Sequence, residues 1–197
     1  MAKRTDPKGW HSRGYLPHFD SPEVPQHVVF RTAGALPKEI RAALAGNGPE
    51  AISAFDAWLD GGAGDGPLFK LEHAETVADS LRFFHGSRYH LHAWCVMPNH
   101  VHVVVTMLAG FRLGDSVRGW KAFSAAKINR ANELSGSFWA RDYFDRYMRD
   151  ETDLAQTVGY VERNPVLAGL VSALEEWLWS SAHGRASRAR EPSGSPF

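Results

Sequence analysis

The chain has 197 residues, 22 Lys and Arg against 22 Asp and Glu, 44% hydrophobic and 12% aromatic residues. That is an ordinary globular composition, long enough for one domain with its own core and too short for two comfortable ones. No run approaches the ~18 apolar residues of a membrane span and no apolar signal core is visible at the N-terminus, so a cytoplasmic protein with no membrane contact is expected.

The only cysteine, Cys95, can form neither an internal disulfide nor a thiolate cage, which fits a reducing compartment. Zero net charge hides a segregation. From Glu39 to Asp79 there are eight acidic residues against two basic ones, Arg41 and Lys70, whereas Arg112 to Arg149 carries eight basic against four acidic. A local basic face is what phosphate contacts need, although two ordinary solvated faces give the same pattern.

Residues 1–26 mix Lys3, Arg4, Lys8 and Arg13 with Trp10, His11, Tyr15 and His18 between four prolines. Such a segment cannot hold a helix; its cations and rings suit single-stranded nucleic acid, and a surface-draped arm is the equal alternative. Gln26–Thr32 is a β-branched run and the first strand expected. Leu36–Leu44, Ala51–Leu59 and Glu75–His85 have apolar positions at helical spacing. The glycine-rich stretch 61–67 is a loop and not a phosphate cradle, because no strand precedes it and no Gly-Lys-Ser/Thr ending follows.

Tyr89–Thr106 reads as two antiparallel strands joined at Met97-Pro98-Asn99, with His100 and His102 opening the second strand. Strand side chains alternate faces, so both imidazoles project from one face while Val101, Val103 and Val105 project from the other. This is the spacing of a divalent-metal pair and equally that of two His in polar contacts. Asp115 or Ser116 can cap a helix running to about Asn132, with Arg118, Lys121 and Arg130 on its outer faces. Tyr143–Met148 alternates like a strand. Asp150–Asp153 offers caps for a last helix through Arg163, stopped by Pro165.

His-hydrophobic-His after Met97-Pro98-Asn99, followed downstream by Tyr160-Val161-Glu162-Arg163-Asn164-Pro165-Val166-Leu167-Ala168-Gly169-Leu170-Val171, resembles the HUH single-strand transposases with one catalytic tyrosine, and most closely the REP-associated tyrosine transposases. The resemblance runs from about Arg13 to about Ala182. It implies an α+β, ferredoxin-like β-α-β-β-α-β sheet with helices on one face and an added C-terminal helix carrying the tyrosine, and the order of elements read from the chain is the same. It also implies Tyr160 as nucleophile and His100, His102 and Asn164 as metal ligands. Tyr160 and Asn164, four apart, are neighbours on a helix, although Pro165 biases Asn164 away from helical geometry.

Two neutral imidazoles and an amide oxygen would leave a bound cation its full charge and open positions for phosphate oxygens, which favours Mg²⁺ or Mn²⁺. The function implied is metal-dependent cleavage and rejoining of single-stranded DNA beside a hairpin through a phosphotyrosine bond, by a monomer or a homodimer. Arg13, Arg118, Lys121 and Arg130 are the candidate DNA contacts. The domain reading is an N-terminal arm over 1–26, one catalytic domain over 27–182 and a flexible tail over 183–197. Tyr143 and Tyr147 are rival nucleophiles without the helical Asn-Pro context. A histidine-triad nucleotide hydrolase would need a third His where Val104 stands. A domesticated hairpin-DNA binder that does not cut is the alternative from another class.

Overall fold

Periodicity decides the elements: the β-branched runs form strands and the amphipathic runs form helices. In chain order they are β1 (Gly9–Ser12), β2 (Pro17–Asp20), β3 (Pro25–Arg31), α1 (Lys38–Leu44), α2 (Pro49–Asp60), α3 (Leu71–Arg82), β4 (Tyr89–Val96), β5 (His100–Met107), α4 (Leu113–Ala131), β6 (Phe144–Tyr147) and α5 (Glu151–Leu167). The computed structural model describes residues 7–12, 17–44, 49–62 and 66–183. Arg13 and residues 184–197 of the expected tail lie outside the described residues.

The main sheet has the order β4-β5-β3-β6, and each pairing is antiparallel. Numbered by appearance among themselves, the strands run second, third, first, fourth, which is the ferredoxin-like arrangement expected. The crossover helices α3 and α4 pack on one face. There Val28, Phe30, Val101, Val103 and Val105 meet Val77, Leu81, Val117, Trp120 and Ile128 in the largest apolar cluster. On the opposite face, α2 places Phe55 and Leu59 against Val29 and Phe144, and the added helix α5 places Val161 against Cys95 and Val104.

Three local features depart from the sequence expectation, each for a physical reason. Helix α4 begins at Leu113, and its first N–H groups are capped from outside: Asp20 Oδ1 accepts from the Leu113 N–H at 3.1 Å, the role expected of Asp115 or Ser116. Helix α5 does not stop at Pro165 but runs to Leu167. Proline lacks only its own N–H, and the carbonyls of Asn164 and Pro165 still accept from Ala168 and Leu170 at 2.9 Å. Asn164 therefore stays helical, one turn beyond Tyr160. Within the expected arm over 1–26, β1 and β2 pair antiparallel, and His18 is fully buried against Asp142 and Asp145 of the β6 region.

Gly66 is required by close approach. A Cβ there would stand 2.0 Å from the Pro98 carbonyl oxygen, which accepts from the Leu68 N–H at 2.9 Å. The contact ties the stretch before α3 to the turn that precedes His100. Among the described residues, no helix is long and apolar enough to cross a membrane.

Candidate active site

The alternation of β5 brings His100 and His102 to the α2/α5 face, where both are fully buried. Their Nε2 atoms converge at 2.9 Å. The remaining nitrogens explain why they point inward. Asn99 Oδ1 accepts from His100 Nδ1 at 2.6 Å, which assigns the proton to Nδ1 and leaves the Nε2 lone pair free. His102 Nδ1 meets His27 Nε2 at 3.1 Å. Asn99 also holds α2, donating from Nδ2 to the Leu59 carbonyl at 2.8 Å.

That contact anchors the C-terminal turn of α2, and with it Asp56. One carboxylate oxygen, Oδ1, lies 3.8 Å from His102 Nε2; the other, Oδ2, accepts a 2.5 Å hydrogen bond from the Tyr160 hydroxyl of α5. Asp56, His100 and His102 offer ligand atoms within 4.8 Å of one another and are able to hold a metal ion. The fit has a second support: Asp56 Oδ1 and Asn164 Oδ1 are both buried without a hydrogen-bond partner. Buried oxygens of this kind are rare unless a ligand completes them. Neutral imidazoles, a carboxylate and an amide oxygen form a donor set suited to a hard or borderline divalent cation.

Burial dominates the electrostatics. It holds His100 and His27 well below the usual imidazole range and brings His102 down to about 3, so the rings stay neutral with lone pairs available. Burial likewise pushes Asp56 up to about 7, with the Tyr160 hydrogen bond pulling the other way. Burial and the adjacent Asp56 carboxylate push the Tyr160 phenol above its ordinary value, while a hydrogen bond from Asn164 opposes them.

Residues 68–164 match the family described as Transposase IS200 like. The match covers 97 of the 197 residues, just under half of the chain. The matched segment runs from just before α3 to Asn164 within α5, and holds the His pair and Tyr160. A REP-associated tyrosine transposase of Escherichia coli is 26% identical over 104 residues, covering 53% of this chain and 61% of that protein. A Haemophilus influenzae protein assigned to the same class is 26% identical over 101 residues, covering 46% of this chain and 57% of that protein. The chain spans about three fifths of the length of these curated relatives. A solved structure of a REP-associated tyrosine transposase bound to a REP hairpin superposes with a TM-score of 0.56 at 16% identity, over 91% of this chain and 92% of that one, and shows the same fold.

The other candidate residues of the chain sit elsewhere. Arg118, Lys121 and Arg130 belong to α4, across the sheet from Tyr160. Arg118 is exposed and paired with Asp115 at 3.2 Å. Lys121 Nζ donates to the carbonyls of Ala140 and Arg141 at 2.7 and 3.0 Å, clamping the loop before β6, and burial brings it down to about 8. Tyr143 packs on His18, and Tyr147 on Trp10 and Phe19, so both rival tyrosines are remote from the His pair.

Three residues of the site, Asp56, Asp60 and His27, carry only a weak signal in the sequence. Asp56 and Asp60 each follow an inward apolar residue, Phe55 and Leu59, so both fall on the buried side of α2; acids on an apolar stripe were the available signal. His27 alternates with Val28 and Phe30, which face the core. That parity put it on the His102 side.

Proposed function

We propose that this chain is a metal-dependent single-strand DNA transposase that cleaves and rejoins DNA through a phosphotyrosine intermediate, at hairpin sites like the one bound by its solved relative. The observation that carries the reading is the sharing of Asp56: one oxygen joins the His100–His102 pair while the other takes the hydroxyl of Tyr160. A nucleophile and a cation site meet on one carboxylate. His100, His102 and Asp56 would hold the ion, Mg²⁺ or Mn²⁺, and Asn164 Oδ1 stands one turn from Tyr160 as a further oxygen ligand. When bound, the cation supplies charge neutralisation to the phosphate oxygens.

The chain's own groups do the rest. Asp56 Oδ2 accepts the phenolic proton as Tyr160 Oη bonds to phosphorus; the phosphorus–oxygen bond to the departing strand end breaks, and that oxygen takes up a proton. The linkage energy is kept in the phosphotyrosine, so a second strand end can reverse the step without a nucleotide cofactor. One tyrosine and one cation site process one strand at a time, which favours single-stranded DNA beside a hairpin over duplex.

Full burial of His100 and His102 favours the second reading, a hairpin binder that does not cut, because α2 lies over the face a phosphate must reach. A labelled hairpin oligonucleotide with a single-stranded flank separates the two. A covalent protein–DNA adduct that needs Mg²⁺ or Mn²⁺ and disappears in chelator supports the transposase; binding without adduct supports the binder.

A further inference from the structure

A trough beside Tyr160 is left unused by the cleavage step. His27 and Arg146 are register partners on β3 and β6 and form its floor. Ser53 of α2 and Asp153, Thr157 and Tyr160 of α5 stand along its walls, around about 220 Å³. Arg146 is fastened by one edge only. Nη1 and Nη2 donate to the two oxygens of Asp153 at 2.9 and 2.7 Å, and Nη2 donates to Thr157 Oγ1 at 3.0 Å.

The other edge is unpartnered. Arg146 Nε is buried and has no hydrogen-bond partner. A buried donor on a charged group without an acceptor is rare and calls for one. Asp153, the acid in the trough, is already committed to the opposite edge, where it fixes the plane of the guanidinium. A planar cation held this way matches the oxygens of a phosphodiester. The trough also ends at the Tyr160 side chain, on the same sheet face as the His pair, while the cations of α4 stand on the far face.

We propose that this trough seats the DNA phosphodiester adjoining the one that Tyr160 attacks, bound at the Nε edge of Arg146 with the Thr157 and Ser53 hydroxyls beside it. Asp153 is then a positioning residue that orients Arg146. The inference rests on Tyr160 being the nucleophile and adds how the strand is held in line with it.

The test uses the full chain with Mn²⁺ and a pool of hairpin oligonucleotides carrying randomised single-stranded flanks, read as covalent adduct on a denaturing gel; the best cleaved member is carried forward. Arg146→Gln should slow adduct formation about 100-fold and Arg146→Lys about 10-fold. Because the Arg146–Asp153 pair also joins β6 to α5, loss in the variant alone could reflect a loosened helix. The second arm therefore keeps the protein unmodified and replaces flank phosphates one at a time by neutral methylphosphonates. One linkage next to the cleaved one should reproduce the Arg146→Gln loss, and combining the two should add no more than about 3-fold. Adduct formation by Arg146→Gln within about 3-fold of the unmodified chain, or losses that multiply at every linkage, would overturn the proposal. No adduct from the unmodified chain with any pool member would instead remove the Tyr160 reading, and this inference with it.

Discussion

The two faces of one sheet have been put to opposite uses. Val101, Val103 and Val105 of β5 enter an apolar cluster with Trp120 and Ile128, and every contact there can be exchanged for water-free packing. One residue out of phase, His100 and His102 are equally buried but bring polar atoms, and around them Asp56, Asn164 and Arg146 each keep a buried atom without a partner. Such atoms cost about 1–3 kcal/mol apiece when left unsatisfied. The face with α3 and α4 stabilises the fold; the face with α2 and α5 is held in a poor solvent for its groups, which is how a site is kept ready for a cation and an anion.

The comparison is tested most severely at Tyr160. Tyr160→Phe removes one hydroxyl and should lower adduct formation at least ~10³-fold, while the loss of the Asp56 Oδ2 partner should cost no more than about 1–3 kcal/mol in urea unfolding and leave the chain folded. Persistent adduct would transfer the role to Tyr143 or Tyr147. His100→Ala and His102→Ala should each abolish cleavage and weaken Mn²⁺ binding, measured by calorimetry, with Asn164→Ala milder because an amide oxygen is the weakest of these ligands. Val101→Ala, between them in sequence but on the other face, should leave Mn²⁺ affinity alone.

On the α3/α4 face the same truncation logic gives the converse. Trp120 is 2% exposed, stacks near Phe30 and donates from Nε1 to the Tyr89 hydroxyl at 2.8 Å. Trp120→Ala should cost about 3–5 kcal/mol in urea unfolding, with the metal affinity of the remaining folded protein unchanged. A large change in metal affinity would show that the faces are coupled.

This division was half legible in the sequence. The period-two pattern of Tyr89–Thr106 placed His100 and His102 opposite the valines, and Tyr160 and Asn164 were readable as one turn of helix because both signals lie within single elements. Asp56 and Arg146 were not readable as partners of Tyr160, since they meet it only through tertiary packing across 104 and 14 residues of chain. Lys121 was read as solvent-facing from its helical position; a long side chain on a helix flank can instead reach back to loop carbonyls, which periodicity does not encode.

A smaller effect comes from the clasp on the side of the sheet away from the metal cluster. Both ring nitrogens of His18 face carboxylates, Nε2 to Asp142 at 3.0 Å and Nδ1 to Asp145, so the ring is held as an imidazolium. Burial alone would lower its pKa, but the two carboxylates outweigh it together and raise it to about 9. Since the folded value lies above the ordinary 6.5, the contribution is fully present below pH ~6.5 and is lost as pH rises through ~9; it amounts to at most about 3 kcal/mol. Unfolding free energy measured from pH 6 to 10 should show this decline in the unmodified chain. His18→Gln should flatten it without changing Mn²⁺ affinity.

The smallest effect is expected at Arg118 and Arg130, exposed residues of α4 on the face opposite Tyr160. If the strand follows the Arg146 trough, these cations act on DNA only through the long-range field, which is strongly screened beyond about 8 Å at physiological salt. Arg118→Ala and Arg130→Ala should then each change hairpin affinity less than about 2-fold at 0.15 M salt and leave the slope of log affinity against log salt nearly as it was. The measurement is a fluorescence anisotropy titration of one hairpin across a salt series. A slope that falls by about one per substitution would mean a released counterion at each site, so the hairpin would reach around to the α4 face and both faces of the sheet would touch DNA.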